Sequence, residues 1–324
     1  MVLDLKQAPS VEALAIRGLT HRYGQRTALR DVAIDIAPGE IIGLMGPNGS
    51  GKSTAFSLLT GLLPLKQGRI ELGGRETSPK SWTFRRELGV VFQHVSLDAR
   101  LSARENLMLT AQMHGLSGSE ARAATDKGIT QAGLEGRAGD IVGTLSGGMR
   151  RRLDLARAML HNPRFLFMDE PTTGLDLESF ETTWRLLEEL KATGRVGILL
   201  TTHRAEEAER CDRLIVLREG ECVRTATPAD LLAEGGADQL ILETPHPELV
   251  AARIKSKLEL DAHVLGAGTV TFEVKSAQEW VGPIATLFDN EMLRGINLKR
   301  PGLAEAYFKV TGSSLAGAQS EATL

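Results

Sequence analysis

The run Gly46-Pro47-Asn48-Gly49-Ser50-Gly51-Lys52-Ser53-Thr54 constrains this chain more than any other stretch. It matches the spacing G-x-x-x-x-G-K-[ST] of a loop that cradles phosphate. Glycines at 46, 49 and 51 let the backbone curl without Cβ clashes. The curled N–H groups converge on phosphate oxygens, and a helix beginning near Gly51 adds the positive end of its dipole. Lys52 has the reach for β- and γ-phosphates, and the Ser53 hydroxyl suits Mg2+. Ile41-Ile42-Gly43-Leu44-Met45 is an apolar run that reads as a buried strand, and residues 54–60 carry helical apolar spacing. Strand, loop and helix together predict an α/β domain that takes a nucleoside triphosphate. The loop alone leaves kinases, GTPases and many ATPases open.

The totals narrow the partners. With 324 residues, 42% hydrophobic and 24% charged, the chain has room for one large domain and one small one. A net charge of −3 and only 4% aromatic residues supply neither the basic excess nor the stacking platform of a nucleic-acid binder, so none is expected as a partner. Cys211 and Cys222 lack metal-ligand spacing and read as free thiols. Residues 1–10 show no basic-then-apolar signal design and read as a loose leader. No apolar run approaches the roughly 18 residues that span a bilayer, so any membrane attachment goes through something else.

Strands are predicted over residues 11–17, 29–36 and 68–72, with Gly61 as the residue just past the first helix. Ser78-Pro79 fits a helix cap followed by proline at the first helical position. A strand over 88–92 ends at Gln93. There the pattern turns helical, and a helical subdomain is predicted over about 93–160. Ser102-Ala103-Arg104-Glu105 is a capping box, with helices running to His114 and over 120–132. A third follows Ser146-Gly147-Gly148; Met149, Leu153, Ala156 and Leu160 form its apolar stripe, while Arg150, Arg151, Arg152 and Arg157 read as surface. Strand and helix then alternate over 165–168, 177–192, 196–200, 205–210 and 214–217, with a hairpin at Glu219-Gly220. The nucleotide-binding domain thus covers 11–233, and a junction follows at 231–238. Beyond it, strand 239–243, helix 247–257, strands 262–266 and 269–274, helix 277–288, strand 292–298 and helix 302–310 give β-α-β-β-α-β plus a helix. That order predicts a small ferredoxin-like domain over 239–310. The Ser/Gly/Ala-rich residues 311–324 read as a flexible tail.

Two further stretches carry chemistry. Phe165-Leu166-Phe167-Met168-Asp169-Glu170 is an apolar strand ending in two acids. Functional groups gather at such strand ends in α/β sheets. Asp169 is placed to hold Mg2+, and Glu170 to act as general base on an attacking water. Taken alone, two acids there would serve as well in a solvated turn. Leu145-Ser146-Gly147-Gly148-Met149 offers a helix N-terminus with bared backbone, a second anion site or an ordinary capped helix.

In order, the stretches at 46–54, Gln93, 145–149, 165–170 and His203 resemble the Walker A, Q-loop, signature, Walker B and H-loop of ATP-binding-cassette (ABC) ATPases. The resemblance covers about residues 11–233. It implies a P-loop ATPase with ATP and Mg2+ as cofactors. It also implies a head-to-tail homodimer, in which the signature of one copy, Ser146, Gly147 and Gly148, closes on ATP held by the other. By the same resemblance Tyr23 stacks on adenine and Gln93 touches Mg2+ and the attacking water. His203 contacts the γ-phosphate and orients that water, and Asp176, in Thr173-Gly174-Leu175-Asp176, reaches across the dimer. His21, His94, His114, His161, His246 and His263 receive no role. Met149 stands where many members have Gln, and Thr173-Gly174 where Ser-Ala is more frequent. With Arg150-Arg151-Arg152 and Ser96-Leu97-Asp98, these departures are similar to the daunorubicin-resistance type of drug, antibiotic and polysaccharide exporters. The stretch 300–308 resembles that group's C-terminal signature, with Ala306 and Tyr307 where Asp-Val is more frequent. The expected role is therefore that of an exporter ATPase on the cytoplasmic face of the cell membrane, paired with a separately encoded permease. The alternatives are an importer ATPase or a non-transport ATPase acting on ribosomes or nucleic acid.

Overall fold

The computed structural model describes residues 13–265, 268–275, 277–288 and 292–315. The leader at 1–10, the predicted start of the first strand, Gly266 and most of the tail lie outside the described residues. Contacts divide the chain into two compact units that meet between Thr227 and Pro228.

The first unit begins with β1 (Leu14–Tyr23), β2 (Arg26–Ile36), β3 (Ile41–Met45) and α1 (Lys52–Leu59). Next come β4 (Gln67–Leu72), β5 (Arg75–Thr77), α2 (Trp82–Arg86) and β6 (Leu88–Val91), then the helices α3 (Ala103–Met113), α4 (Gly118–Gln131) and α5 (Gly147–Met159). It closes with β7 (Phe165–Asp169), α6 (Leu177–Ala192), β8 (Gly197–Thr202), α7 (Ala205–Ala208), β9 (Arg213–Arg218) and β10 (Glu221–Ala226). One sheet has six strands in the order β10-β9-β3-β8-β7-β6, and a four-stranded sheet runs β2-β1-β4-β5. β9, β3, β8, β7 and β6 are mutually parallel. Their near-continuous apolar sequences suit strands covered on both faces. Parallel pairing also sends all their carboxyl ends to one edge.

α1 packs against β2 and against β7 and β8. Its Phe56 and Leu59 join Ile16 and Ile34 of one sheet to Leu44 and Phe167 of the other in a single buried cluster. The helix opening at Lys52 is thus clamped by the core. A separate cluster, built on Leu107, Ile129, Val142 and Leu153, holds α3, α4 and α5 together. Gly89 is where α5 meets β6: a Cβ there would lie 2.5 Å from the carbonyl oxygen of Ala158.

Several local expectations change. Strand β1 continues to Tyr23, past an irregularity at Gly18, which has φ +66°. The helix expected at Ser78-Pro79 starts later, because Ser81 is its cap and accepts from the Phe84 N–H. Ser78, Pro79 and Lys80 form the approach turn instead. Of the arginines read as surface, Arg151 is buried.

The second unit opens with α8 (Pro228–Glu234), where the sequence suggested only a junction. It continues with β11 (Asp238–Glu243), α9 (Pro247–Leu258), β12 (Ala262–Leu265), β13 (Thr269–Val274), α10 (Ala277–Leu287), β14 (Gly295–Lys299) and α11 (Leu303–Thr311). The sheet order β12-β13-β11-β14 is antiparallel throughout, which is the ferredoxin-like arrangement. Leu240, Leu242, Val270 and Phe272 bury one face against Val250 and Ile254 of α9 and Ile284 of α10. α11 packs on α8. Thr311 and Leu315, assigned to a flexible tail, are both buried.

Two histidines without an expected role join α3 to the segment after α5. His114 caps the end of α3, and its ring stacks on His161 at 3.8 Å and 7°. His161 Nε2 lies 3.3 Å from the Leu88 carbonyl. Burial, then His114, Arg157 and Arg86, pull the His161 pKa down to about 4 against the Leu88 contact. Burial, then Arg157 and Arg86, also lower that of His114. The folded state therefore holds these rings neutral, while the unfolded chain takes up protons near the ordinary value. Their contribution is present above about pH 6.5 and lost as pH falls toward 4. Unfolding titrations should show a loss of about 3 kcal/mol over that interval from His161. His161→Leu should remove that part of the slope; an unchanged slope would refute it. A second expectation concerns Gly89. Gly89→Ala should destabilise the first unit by about 1–3 kcal/mol, read from its denaturant midpoint, because α5 must move off β6.

Candidate active site

The phosphate loop leaves the carboxyl end of β3, beside those of β8 and β7. Met45 pairs with Thr202, and Thr201 with Asp169. The Gly46 N–H donates to the Thr202 carbonyl at 3.2 Å. A Cβ on Gly46 would lie 2.5 Å from Ser50 Oγ and 2.6 Å from the Leu217 carbonyl oxygen, so close approach demands glycine here. Gly51 has φ +109°, and its Cβ would meet the Ala28 carbonyl at 2.7 Å. α1 starts with no side-chain cap, which leaves its first N–H groups for a ligand. Ser50 Oγ is buried with no partner among the described residues. Tyr23, Arg26, Asn48, Gly49, Lys52, Ser53 and Thr54 line a cavity of about 200 Å3 beside the loop. Pro47 lies within the loop, half-buried. Tyr23 is 50% exposed at the rim. This is a cradle of backbone donors with two cations, Arg26 and Lys52, and one aromatic wall, and it fits a nucleoside triphosphate.

Lys52 is 4% exposed. Its Nζ donates to the carbonyls of Gly46 (2.7 Å) and Pro47 (3.0 Å) and lies 4.0 Å from Glu170 Oε1. Burial lowers its pKa, and the carboxylates of Glu170 and Asp169 oppose that. Burial raises the pKa of Asp169, against a hydrogen bond that Thr201 Oγ1 donates to Oδ1 at 2.5 Å. Among the described residues no three His, Cys, Asp or Glu side chains cluster as metal ligands. Asp169 with the Ser53 hydroxyl fits Mg2+, which takes few protein ligands and completes its shell with water and phosphate oxygens.

Glu170 is the hub. Its φ of 44° is left-handed, a costly conformation for a residue with a side chain. Its N–H is held by both the Thr201 carbonyl (3.2 Å) and Thr201 Oγ1 (3.0 Å). Its carboxylate gathers His203 Nδ1 at 2.9 Å, and Gln93 Nε2 and Thr173 Oγ1 each donate to it at 3.4 Å. Lys52, Gln93, the adjacent pair Asp169 and Glu170, and His203, from four separate stretches of the sequence, therefore meet at one sheet edge.

Ser146, Gly147 and Gly148 do not line the cavity beside the loop. Ser146 caps α5, its Oγ accepting from the Met149 N–H at 3.2 Å. A Cβ on Gly148 would collide with the Ser179 hydroxyl of α6, whereas Gly147 faces open space. Asp176 caps α6, accepting from the Ser179 N–H at 2.8 Å, and that bond lowers its pKa.

Sequence reasoning missed the residues that brace this hub. Arg151 is 3% exposed; its Nε donates to the Pro171 carbonyl (2.5 Å), Nη1 to Phe92 (2.6 Å) and Nη2 to Glu170 (3.4 Å). Asp154, fully buried, lies between Arg151 (3.8 Å) and Arg157 (2.8 Å). That Arg-x-x-Asp-x-x-Arg spacing was the available signal: an acid flanked three residues either way faces both partners on a helix. Glu207, also buried, accepts from the Thr172 N–H at 3.2 Å and from the Thr172 hydroxyl, and burial raises its pKa. It fastens the turn that follows Glu170.

Residues 29–173 match the family described as ABC transporter. The Nod factor export ATP-binding protein I of Burkholderia thailandensis is 41% identical over 240 residues, 74% of this chain and 79% of that protein. The linearmycin resistance ATP-binding protein LnrL of Bacillus subtilis is 33% identical over 313 residues. That alignment takes in 93% of this chain and 99% of LnrL, leaving too little unaligned to exclude the second unit. Among solved structures, a dimeric ATP-binding cassette in a post-hydrolysis state bound to ADP and Pi matches with a TM-score of 0.59 and 30% identity, over 66% of this chain and 98% of that one. The chain belongs to the ATP-hydrolysing, ATP-binding subunits of ABC transporters.

Proposed function

We propose that this chain powers an exporter, acting on a separately encoded membrane permease through an ATP-sandwiching homodimer. The observation that carries the reading is the convergence of Lys52, Gln93 and His203 on Glu170, beside a phosphate loop whose cavity Ser146 does not line. Completion of the site by a second copy's Ser146, Gly147 and Gly148 accounts for both facts. Export is supported by relatives named for Nod factor export and linearmycin resistance, which favours it over import or work on ribosomes. No helix among the described residues is long and apolar enough to cross a membrane, which agrees with a peripheral subunit on the cytoplasmic face. The helical insert from Gln93 to about Ile141 would receive the permease's cytoplasmic coupling helix, and the domain over 239–310 would serve dimer contact or regulation.

The roles follow from chemistry. Tyr23 stacks on adenine, and the N–H groups of 46–54 bind phosphate oxygens. Lys52, held between Glu170 and the loop carbonyls, is placed to balance the γ-phosphate. Ser53, Asp169 and Gln93 would hold Mg2+. That ion supplies charge neutralisation on the transferred phosphoryl group. Glu170 accepts the proton of the attacking water, and the His203 bond fixes which carboxylate oxygen does so. Asp176 borders the partner copy.

Glu170→Gln should retain ATP binding while turnover falls by at least about 100-fold, and ATP should then trap dimers on size exclusion. Parental turnover would remove Glu170 as base. Lys52→Ala should weaken nucleotide binding itself, as equilibrium titration would register. In the transporter assembled with the neighbouring permease, Ser146→Arg should abolish hydrolysis; retained activity would exclude the sandwich.

A further inference from the structure

α5 carries two features. Its N-terminus is the signature, and a little over one turn later Arg151 points inward. Arg151 reaches the backbone at the two strand ends that build the site: Phe92, which precedes Gln93, and Glu170 with Pro171. A guanidinium presents its donors in a rigid fork, so one side chain fixes these carbonyls relative to each other. One of them belongs to the residue with φ +44°, whose N–H side Thr201 already holds. A strained residue persists only when its surroundings over-determine it, and Arg151 supplies the carbonyl half of that restraint.

Arg157 offers an internal comparison. It also donates to the backbone of β6, at the Val90 carbonyl (2.8 Å), and also pairs with Asp154. It therefore ties the same helix to the same strand, two residues before Phe92.

We propose that Arg151 is a positioning residue that locks Gln93 and Glu170 of one nucleotide site to the signature helix serving the other. This rests on the sandwich reading above. The two sites of a dimer are then mechanically joined within each chain: a shift of α5 on closing over the partner's ATP moves the chain's own catalytic carboxylate. Arg151 acts through Glu170 and Gln93.

The test uses the full chain and Arg151→Lys, which keeps the charge and loses the fork. Its readouts are fluorescent-nucleotide affinity, kcat, KM and the thermal midpoint. Affinity should stay within about threefold while kcat falls by about 100-fold, the usual consequence of misplacing a reacting group by an ångström. Arg157→Lys should lower the midpoint with kcat per folded molecule within about threefold. In dimers mixed from parent and Arg151→Lys chains, turnover should fall well below half, because each altered chain spoils both sites. An Arg151→Lys kcat within threefold of the parent, or a loss matched by Arg157→Lys, would overturn the proposal. So would mixed dimers at half activity. Arg151→Met, which keeps the buried stem, gives the same comparison if Arg151→Lys does not fold; if neither folds, Arg151 is a folding residue and the proposal falls. Glu170→Gln in the same assay separates the two layers. Parental turnover there rejects the site reading itself, whereas an inactive Glu170→Gln beside a normal Arg151→Lys rejects only the coupling.

Discussion

A desolvated ammonium group and two desolvated carboxylates face one another at the end of a parallel sheet, and the rest of the first unit is arranged so that this is tolerable. Burial alone would drive Lys52 toward its neutral form and Asp169 toward its protonated form. Opposing this, Glu170 and Asp169 favour the charged Lys52, which also donates to two loop carbonyls, and the Thr201 hydroxyl and Lys52 favour the charged Asp169 against Glu170. The glycines of the loop permit that approach. The clamping of α1 between two sheets prevents the lysine from leaving. With the N–H groups at the start of α1 left uncapped and the loop already curled, the site can receive a multiply charged anion without rebuilding itself.

The fold was largely legible because its strongest signals are local. The phosphate loop, the Ser102 capping box and the 177–192 helix each rest on neighbours in sequence, and each stands where expected. The βαββαβ order of the second unit was legible for the same reason. What escaped was decided at a distance. Ser81 took the cap from Ser78 because Phe84 is buried and its N–H needs a partner at that point. Arg151 passed for a surface cation because nothing near it in sequence reveals three carbonyls converging from just past the ends of β6 and β7.

The site was legible as a set of residue types and hidden as a geometry. Asp169 and Glu170 could be named from a strand end, and Gln93 and His203 through the resemblance to the family. The bond from His203 to Glu170, and the left-handed backbone that aims it, follow from register: β7 and β8 pair so that Thr201 holds Glu170 from behind. Thr201 and Glu207 bear on the chemistry without a motif of their own. They are found only by asking where each buried polar group finds its partner.

Gly148 and Ser179 lie so close that α5 cannot carry a Cβ at 148 without displacing Ser179. Ser179 is also the residue whose N–H fixes Asp176. The start of α5 and the start of α6 therefore form one preassembled plate, with Ser146 and Asp176 set in it. In the proposed dimer, a second copy would meet a surface whose two helix starts are already fixed to each other, so little of it would need ordering on association.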